Sequence, residues 1–258
     1  MTSTEVPRLR IVQGRPSRPP AAGGDPEWDA HLDHEGRICA YTRAVDGGGW
    51  LYLPGLARYR FPAEDGCIEA RPEADASPDM VTDAYYRVAL PMALLAAGYE
   101  VLHASAVSDG RGLHLFCGAS RSGKSTIAYA LGRRGFEVWA DDAVAFKVGA
   151  GGITAIPVPF ALRLRSEVAD FFEVPTRKRP QASGKTEALR HQGVGPRDIA
   201  SVSLLERGRD STISRLSAPE SLPAVLYHSF YFSLRPGLDA IGDLLDDLER
   251  RVLARAPG

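Results

Sequence analysis

The apolar positions of this chain change period several times. Between residues 27 and 72 they alternate in short runs such as "GRICAYTRAV" and "GWLYLPGLARYRF", broken by Gly and Pro. Period-two alternation bounded by turn residues predicts short strands, and hence a small β-rich portion. The pattern then lengthens. "PDMVTDAYYRVALPMALLAAG" reads as a helix bent at Pro91, with Gly98 near its end. "YEVLHASAV" and "LHLFCG" read as two paired strands joined through the turn "SDGRG". A helix from about Lys124 to Arg134, closed by Gly135, is followed by the strand "FEVWADDAVAFKV", a turn at 149–152, and the extended run "ITAIPVPFALRL".

From 173 to 197 the periodicity disappears, and Arg177, Lys178, Arg179, Lys185, Arg190 and Arg197 make the segment basic. A solvated loop is the default expectation for such a stretch, and Lys185 and Arg190 are its candidates for reaching a phosphoryl group. "DIASVSLLERG" and "STISRLS" predict a second hairpin. Two helices are expected to begin near Ser217 and Leu238, the latter with Leu238, Ile241, Leu244, Leu245, Leu248 and Val252 on one face. These elements divide the chain into a flexible leader (1–26), a small β-rich portion (27–79) and a main domain (80–258).

Composition narrows the setting. The chain has 258 residues, 44% of them apolar and 24% charged, enough for a full core. A net charge of −1 gives no global basic field for nucleic acid, and no aromatic residues interleave with the basic segment. Cys39, Cys67 and Cys117 show no metal-type spacing, which fits a reducing compartment. The first residues lack the apolar core of a signal peptide, and "VALPMALLAAGYEVL" is too short and broken to span a membrane. A cytoplasmic protein without membrane or nucleic-acid partners is expected.

One stretch carries chemistry. In "LFCGASRSGKSTIAYAL", Gly118, Gly123, Lys124 and Ser125 satisfy the G-x-x-x-x-G-K-[ST] pattern, between an apolar strand and a helix. Glycines let the backbone fold so that N–H groups surround a phosphate, and the helix adds its positive end. The nucleotide would lie on Gly118, Ala119, Ser120, Arg121, Ser122, Gly123, Lys124, Ser125 and Thr126. Lys124 would face the β- and γ-phosphates, and the Ser125 hydroxyl would hold Mg²⁺. Asp141 and Asp142 end the next strand. A right-handed crossover of this length sets that strand parallel to the first, with its carboxyl end on the loop's edge. Two carboxylates there could hold Mg²⁺ and take a proton from an attacking hydroxyl, with no way to tell which does which. His103 belongs to the strand expected beside the loop strand.

The stretches "LHASAV" and "GASRSGKSTIAYALGRRGFEVWADD", with their spacing, resemble the catalytic core of the HPr kinase/phosphorylase family. The resemblance covers residues 99–147 closely and 80–235 loosely. It is nearer to the shorter kinase-like relatives, including kinases of peptide precursors such as lasso peptides. It implies an α/β fold: a P-loop kinase core like the HPr kinase C-terminal domain, close to phosphoenolpyruvate carboxykinases. It also implies ATP and Mg²⁺ as cofactors, Lys124, Ser125, Asp141 and Asp142 in the family's roles, and an active-site place for His103. The activity implied is transfer of the γ-phosphoryl group to a Ser/Thr hydroxyl of a peptide or protein, a ribosomal peptide precursor among the candidates, by an enzyme compatible with homo-oligomer formation. A small-molecule kinase on the same core and an inactive nucleotide-binding regulatory module are the alternatives. Two departures stand out. Arg121 occupies a position where the family loop has glycine. Glu187, Arg190, Gly193 and Gly195 also miss the spacing of the Glu-x-Arg-Gly-x-Gly signature, so HPr itself is not implied as the acceptor.

Overall fold

The computed structural model describes residues 6–12, 28–32, 36–45, 48–62, 66–149, 152–174, 185–208 and 212–229. These form two compact units of mixed α/β structure with several sheets and few helices. The first holds the described residues of Met1–Tyr99 and Leu216–Leu222, the second those of Glu100–Arg215 and Pro223–Phe230.

The first unit is a six-stranded sheet in the order β1-β6-β5-β4-β3-β2. The strands are β1 (Arg8–Ile11), β2 (Asp29–Leu32), β3 (Ile38–Val45), β4 (Gly48–Leu53), β5 (Ala57–Pro62) and β6 (Cys67–Pro72). The alternation seen in the sequence holds over much of this sheet, with Arg58 of β5 a buried exception. Ala57, Tyr59 and Phe61 of β5 and Ile68 and Ala70 of β6 are buried, while Arg60 between them is exposed. β1 falls within the expected leader but pairs parallel with β6, Arg8 beside Cys67 through Ile11 beside Ala70. The rest of that leader lies outside the described residues, apart from the short flanks of β1.

The helical run after β6 is continuous but irregular: α1 (Pro78–Ala84), a π-turn over Tyr85–Ala89, and α2 (Leu90–Ala96). Ser77 caps it by accepting the Met80 N–H at 3.3 Å. Proline at 91 offers no N–H and would crowd the carbonyl four residues back; the π-turn widens the helix just ahead of it, with Leu90 N–H reaching Tyr85. Val81, Tyr85, Ala89, Leu90 and Met92 are buried, and the Tyr59 hydroxyl donates to the Val81 carbonyl at 2.8 Å. Gly98, at φ 80°, ends the run.

The second unit is built on a seven-stranded sheet in the order β10-β8-β9-β15-β12-β11-β7. Its strands are β7 (Glu100–Leu102), β8 (Ala104–Ser108), β9 (Leu113–Cys117), β10 (Glu137–Ala140), β11 (Val144–Gly149), β12 (Gly152–Ile156) and β15 (Arg197–Leu204). β8 is antiparallel to both β9 and β10, so those two run parallel with β8 between them. The helix α3 (Lys124–Gly132) connects them as expected and packs on β8 and β10. Gly132 permits that approach: a Cβ there would lie 2.7 Å from Val138 Cγ2. β13 (Pro159–Arg165) and β14 (Lys185–Gln192) form a separate two-stranded sheet against α3 and β10, followed and flanked by α4 (Ser166–Phe171).

Alternate residues of β8 and β9 feed two cores. Ala104, Ala106, Leu113, Leu115 and Cys117 join Trp139 and Val144 on one face; Val107 and Phe116 join Ala128, Leu162 and Leu164 on the α3 face. Removing a buried Leu or Val side chain from water contributes about 1.5–3 kcal/mol each.

Four expectations are corrected in this unit. "FEVWADDAVAFKV" is two strands, β10 pairing with β8 and β11 with β7 and β12, separated at residues 141–143. The strand containing His103 is two strands, β7 pairing with β11 and β8 with β9, and His103 is the break between them. β15 does not form a hairpin with the next segment, because residues 212–217 are irregular; it runs parallel to β9 and antiparallel to β12. The basic segment is not all loop. Residues 185–192 pair with β13, from Arg165 beside Lys185 to Pro159 beside Gln192, while 175–184 lie outside the described residues. The helix expected near Ser217 is α5 (Ala218–Tyr227); the one expected near Leu238 also lies outside them. Among the described residues no helix is long and apolar enough to cross a membrane.

Candidate active site

The site gathers at one edge of the second unit's sheet, where β9, β10 and β15 end. β9 delivers Cys117 and runs straight into the glycine loop. Gly118 has φ 153°, and a Cβ there would lie 2.5 Å from Ser122 Oγ and 2.8 Å from the Leu205 carbonyl, so the crowding itself requires glycine. The loop turns back with Ser122 N–H on the Ala119 carbonyl at 3.1 Å, and Ala119, Ser120 and Arg121 are exposed. Gly123, at φ 102°, precedes α3, and the Ile127 N–H bonds its carbonyl at 2.9 Å. Arg121 has φ 70°. The loop therefore takes a left-handed turn at a residue that carries a Cβ.

Lys124 and Ser125 open α3, with Thr126 half-buried beside them. The Lys124 ammonium is mostly buried and donates to the carbonyls of Gly118 at 2.7 Å and Ala119 at 3.1 Å. Burial pushes its pKa down, and the carboxylates of Asp142 and Asp141 hold it up. Beside it, burial drives the Cys117 thiol up to about 11, leaving it protonated.

β10 carries the acidic pair. A bulge between Val138 and Ala140 shifts its register against β8 and re-aims the residues beyond it. Asp141 is buried, and its Oδ1 accepts both the Ser105 hydroxyl at 2.5 Å and the Ser125 hydroxyl at 2.9 Å. Burial, and then the Asp142 charge, raises its pKa; the two hydroxyls and the Arg163 N–H partly offset this. Asp142 is more open and has φ 67°. Its carbonyl lies 2.9 Å from His103 Nδ1. A carbonyl only accepts, so Nδ1 carries the hydrogen in the neutral ring and Nε2 keeps its lone pair.

The structure thus brings Lys124, Ser125, Asp141, Asp142 and His103 together. Of the two basic candidates, Lys185 stands close enough to Lys124 to lower its pKa. Arg190 is exposed and taken up by Glu187, at 3.0 and 2.8 Å. Arg197 is also engaged elsewhere, donating to Glu137 at 3.0 Å and Ser108 at 3.2 Å. Arg177, Lys178 and Arg179 lie outside the described residues.

Sequence reasoning did not single out three groups. Ser105 is a fully buried hydroxyl in the strand β8, which also buries Ser108, and hydroxyls in so apolar a setting were the available signal. His228, after α5, accepts the His103 N–H through its carbonyl at 2.7 Å, and Leu102 and Ser229 form an antiparallel bridge beside it. Burial, together with the nearby Lys124 and His103, lowers the His228 pKa. The Leu205–Arg207 segment touches the glycine loop directly, with Leu205 N–H on the Cys117 carbonyl at 2.8 Å and Arg207 Nη2 on the Arg121 carbonyl at 3.1 Å. Neither segment carries a motif.

No family model matches this chain, and no curated protein matches it. Among solved structures it is similar to the HPr(Ser) kinase/phosphatase from Coxiella burnetii, at 16% identity and a TM-score of 0.29, over 60% of this chain and 91% of that one. The chemistry of the site rests on this chain's own side chains.

Proposed function

We propose that the second unit is an ATP- and Mg²⁺-dependent phosphotransferase built on a P-loop kinase core, which passes a γ-phosphoryl group to a Ser/Thr hydroxyl of a peptide or protein. The observation that carries this reading is the shared contact of Ser105 and Ser125 with one buried carboxylate, Asp141, beside Lys124 at the end of a glycine loop. A buried carboxylate next to a hydroxyl is a hard-oxygen pair, the donor set that suits Mg²⁺. The residues fit the ion, with Ser125 and Asp141 as its protein ligands and Asp142 beside them.

Mg·ATP, when bound, supplies the phosphoryl group and spreads the charge that develops on its oxygens. The chain's own residues do the rest. Loop N–H groups and the α3 N-terminus bind the phosphates, and Lys124 exchanges its loop carbonyls for phosphate oxygens. Asp142, less buried than Asp141, is reachable by an incoming hydroxyl and takes its proton. His103, its tautomer fixed by the Asp142 carbonyl, orients that hydroxyl through Nε2. Lys185 adds a second cation on the β14 side. A general base placed this way contributes about 10²–10⁴ in rate.

The test traces label from γ-labelled ATP, with Mg²⁺ and a lysate split into low-mass and macromolecular fractions, using Lys124→Ala as control. Label on a peptide or protein, lost in Lys124→Ala, is the expected result. Label in a small metabolite would replace the acceptor class, and tight ATP binding without any transfer would identify a regulatory module.

A further inference from the structure

Arg121 is the odd residue of the glycine loop. The left-handed region costs glycine nothing, but it costs a residue with a Cβ. Gly118 and Gly123, also at positive φ, meet no such cost, whereas Arg121 at φ 70° does. Something must hold it there. The chain after β15 lies along the loop at three points. Leu205 N–H bonds the Cys117 carbonyl at 2.8 Å, the Leu205 carbonyl crowds Gly118, and Arg207 Nη2 donates to the Arg121 carbonyl at 3.1 Å. The last bond falls on the left-handed residue itself.

We infer that Arg207 is a positioning residue for the glycine loop: its guanidinium, bonded to the Arg121 carbonyl, holds the left-handed turn and so sets nucleotide affinity without touching the nucleotide. The inference rests on the proposal that this loop binds phosphate. A left-handed residue within a turn helps aim successive backbone N–H groups at one anion, and losing that conformation scatters them. Where the family's loop relies on glycine, this chain relies on a side chain contributed from far along the sequence.

A double-mutant cycle tests this, with Mg·ATP as the probe and titration calorimetry as the readout for wild type, Arg207→Ala, Arg121→Gly and the double variant. Arg207→Ala alone should weaken binding about three- to tenfold, the net worth of one solvent-exposed hydrogen bond. With glycine at 121 the turn no longer needs holding, and the same substitution should cost about twofold or less. Equal losses in both backgrounds would mean that Arg207 meets the nucleotide directly, and would overturn the inference. Wild-type affinity in Arg207→Ala would also overturn it. Amide hydrogen exchange across residues 118–124, measured without nucleotide, should quicken in Arg207→Ala, a change that a direct ligand contact would not produce. Unchanged exchange counts against the inference even if affinity falls. Lys124→Ala separates the two levels: if it binds Mg·ATP as tightly as wild type, the phosphate-loop reading fails, while the exchange data still judge the Arg207 contact.

Discussion

Replacing Asp141 by asparagine removes one buried charge and leaves an oxygen where Ser105 and Ser125 donate, at 2.5 and 2.9 Å. In the folded protein this carboxyl is raised above its ordinary value of 3.8, by burial first and by the Asp142 charge second. The folded state therefore binds this proton more readily than the unfolded chain does. Ionised Asp141 subtracts from stability at neutral pH, and the penalty fades as pH falls through the raised value toward 3.8. Each unit by which it is raised is worth about 1.4 kcal/mol, and a domain of this size moves about 2–4 °C in Tm per kcal/mol. The assay is thermal melting of wild type and Asp141→Asn in metal-free buffer from pH 7.5 down to 4.5. Asparagine's extra N–H donor adds an offset that does not titrate, and groups shared by both proteins, His228 among them, cancel in the difference. The variant's advantage, or its smaller deficit, at pH 7.5 should shrink by several degrees as pH falls. A difference that stays flat, or grows with acid, would refute the account of Asp141 as an unfavourably buried charge. At neutral pH with Mg²⁺ the same variant should lose about 10² or more in transfer rate, since the ion would lose its carboxylate ligand.

Three further substitutions probe separate links. Asp142→Asn should keep nucleotide affinity but lose about 10² in turnover; full turnover would exclude it as the base. Gly118→Ala forces a Cβ to within 2.8 Å of the Leu205 carbonyl, so Mg·ATP binding by calorimetry should fall at least tenfold, and intact binding would mean the loop can be reshaped at little cost. Gly193→Ala drives a Cβ to within 2.7 Å of the fully buried Trp139 ring, which has no room to yield. It should cost about 1–3 kcal/mol, read as a lower Tm, and an unchanged Tm would refute the packing argument.

The parts of the fold that were legible in sequence are the local ones. The glycine loop stands out because glycine, lysine and serine sit at a fixed spacing between a strand and a helix, and those two elements have clear periods. Asp141 and Asp142 could be set on the loop's edge because a short crossover has one handedness. What was missed depends on partners remote in sequence. Nothing near "DIASVSLL" says that it runs parallel to β9. β14, "KTEALRHQ", shows no alternation because both its faces are half-buried, so its mostly polar residues read as loop until β13 pairs with them. The break at His103 is invisible locally, since it arises from β7 choosing β11 while β8 chooses β9. Arg121 was legible as an anomaly but not as a solution, because Arg207 lies on another strand's exit.

The parallel pairing of β9 with β15 bears on the order in which the second unit's sheet assembles. Leu204 lies beside Cys117, so the chain must close a long loop before the last strand residue ahead of Gly118 gains its neighbour. Closure of that kind is entropically slow, and parallel pairings form late. β8 and β9 pair locally, whereas the glycine loop gains its Leu205 and Arg207 contacts only once β15 is in place. Under the proposed nucleotide-binding function, competence to bind Mg·ATP should appear with the slowest refolding phase, and saturating Mg·ATP should slow unfolding more than it speeds folding, making the ligand a clock for completion of the sheet.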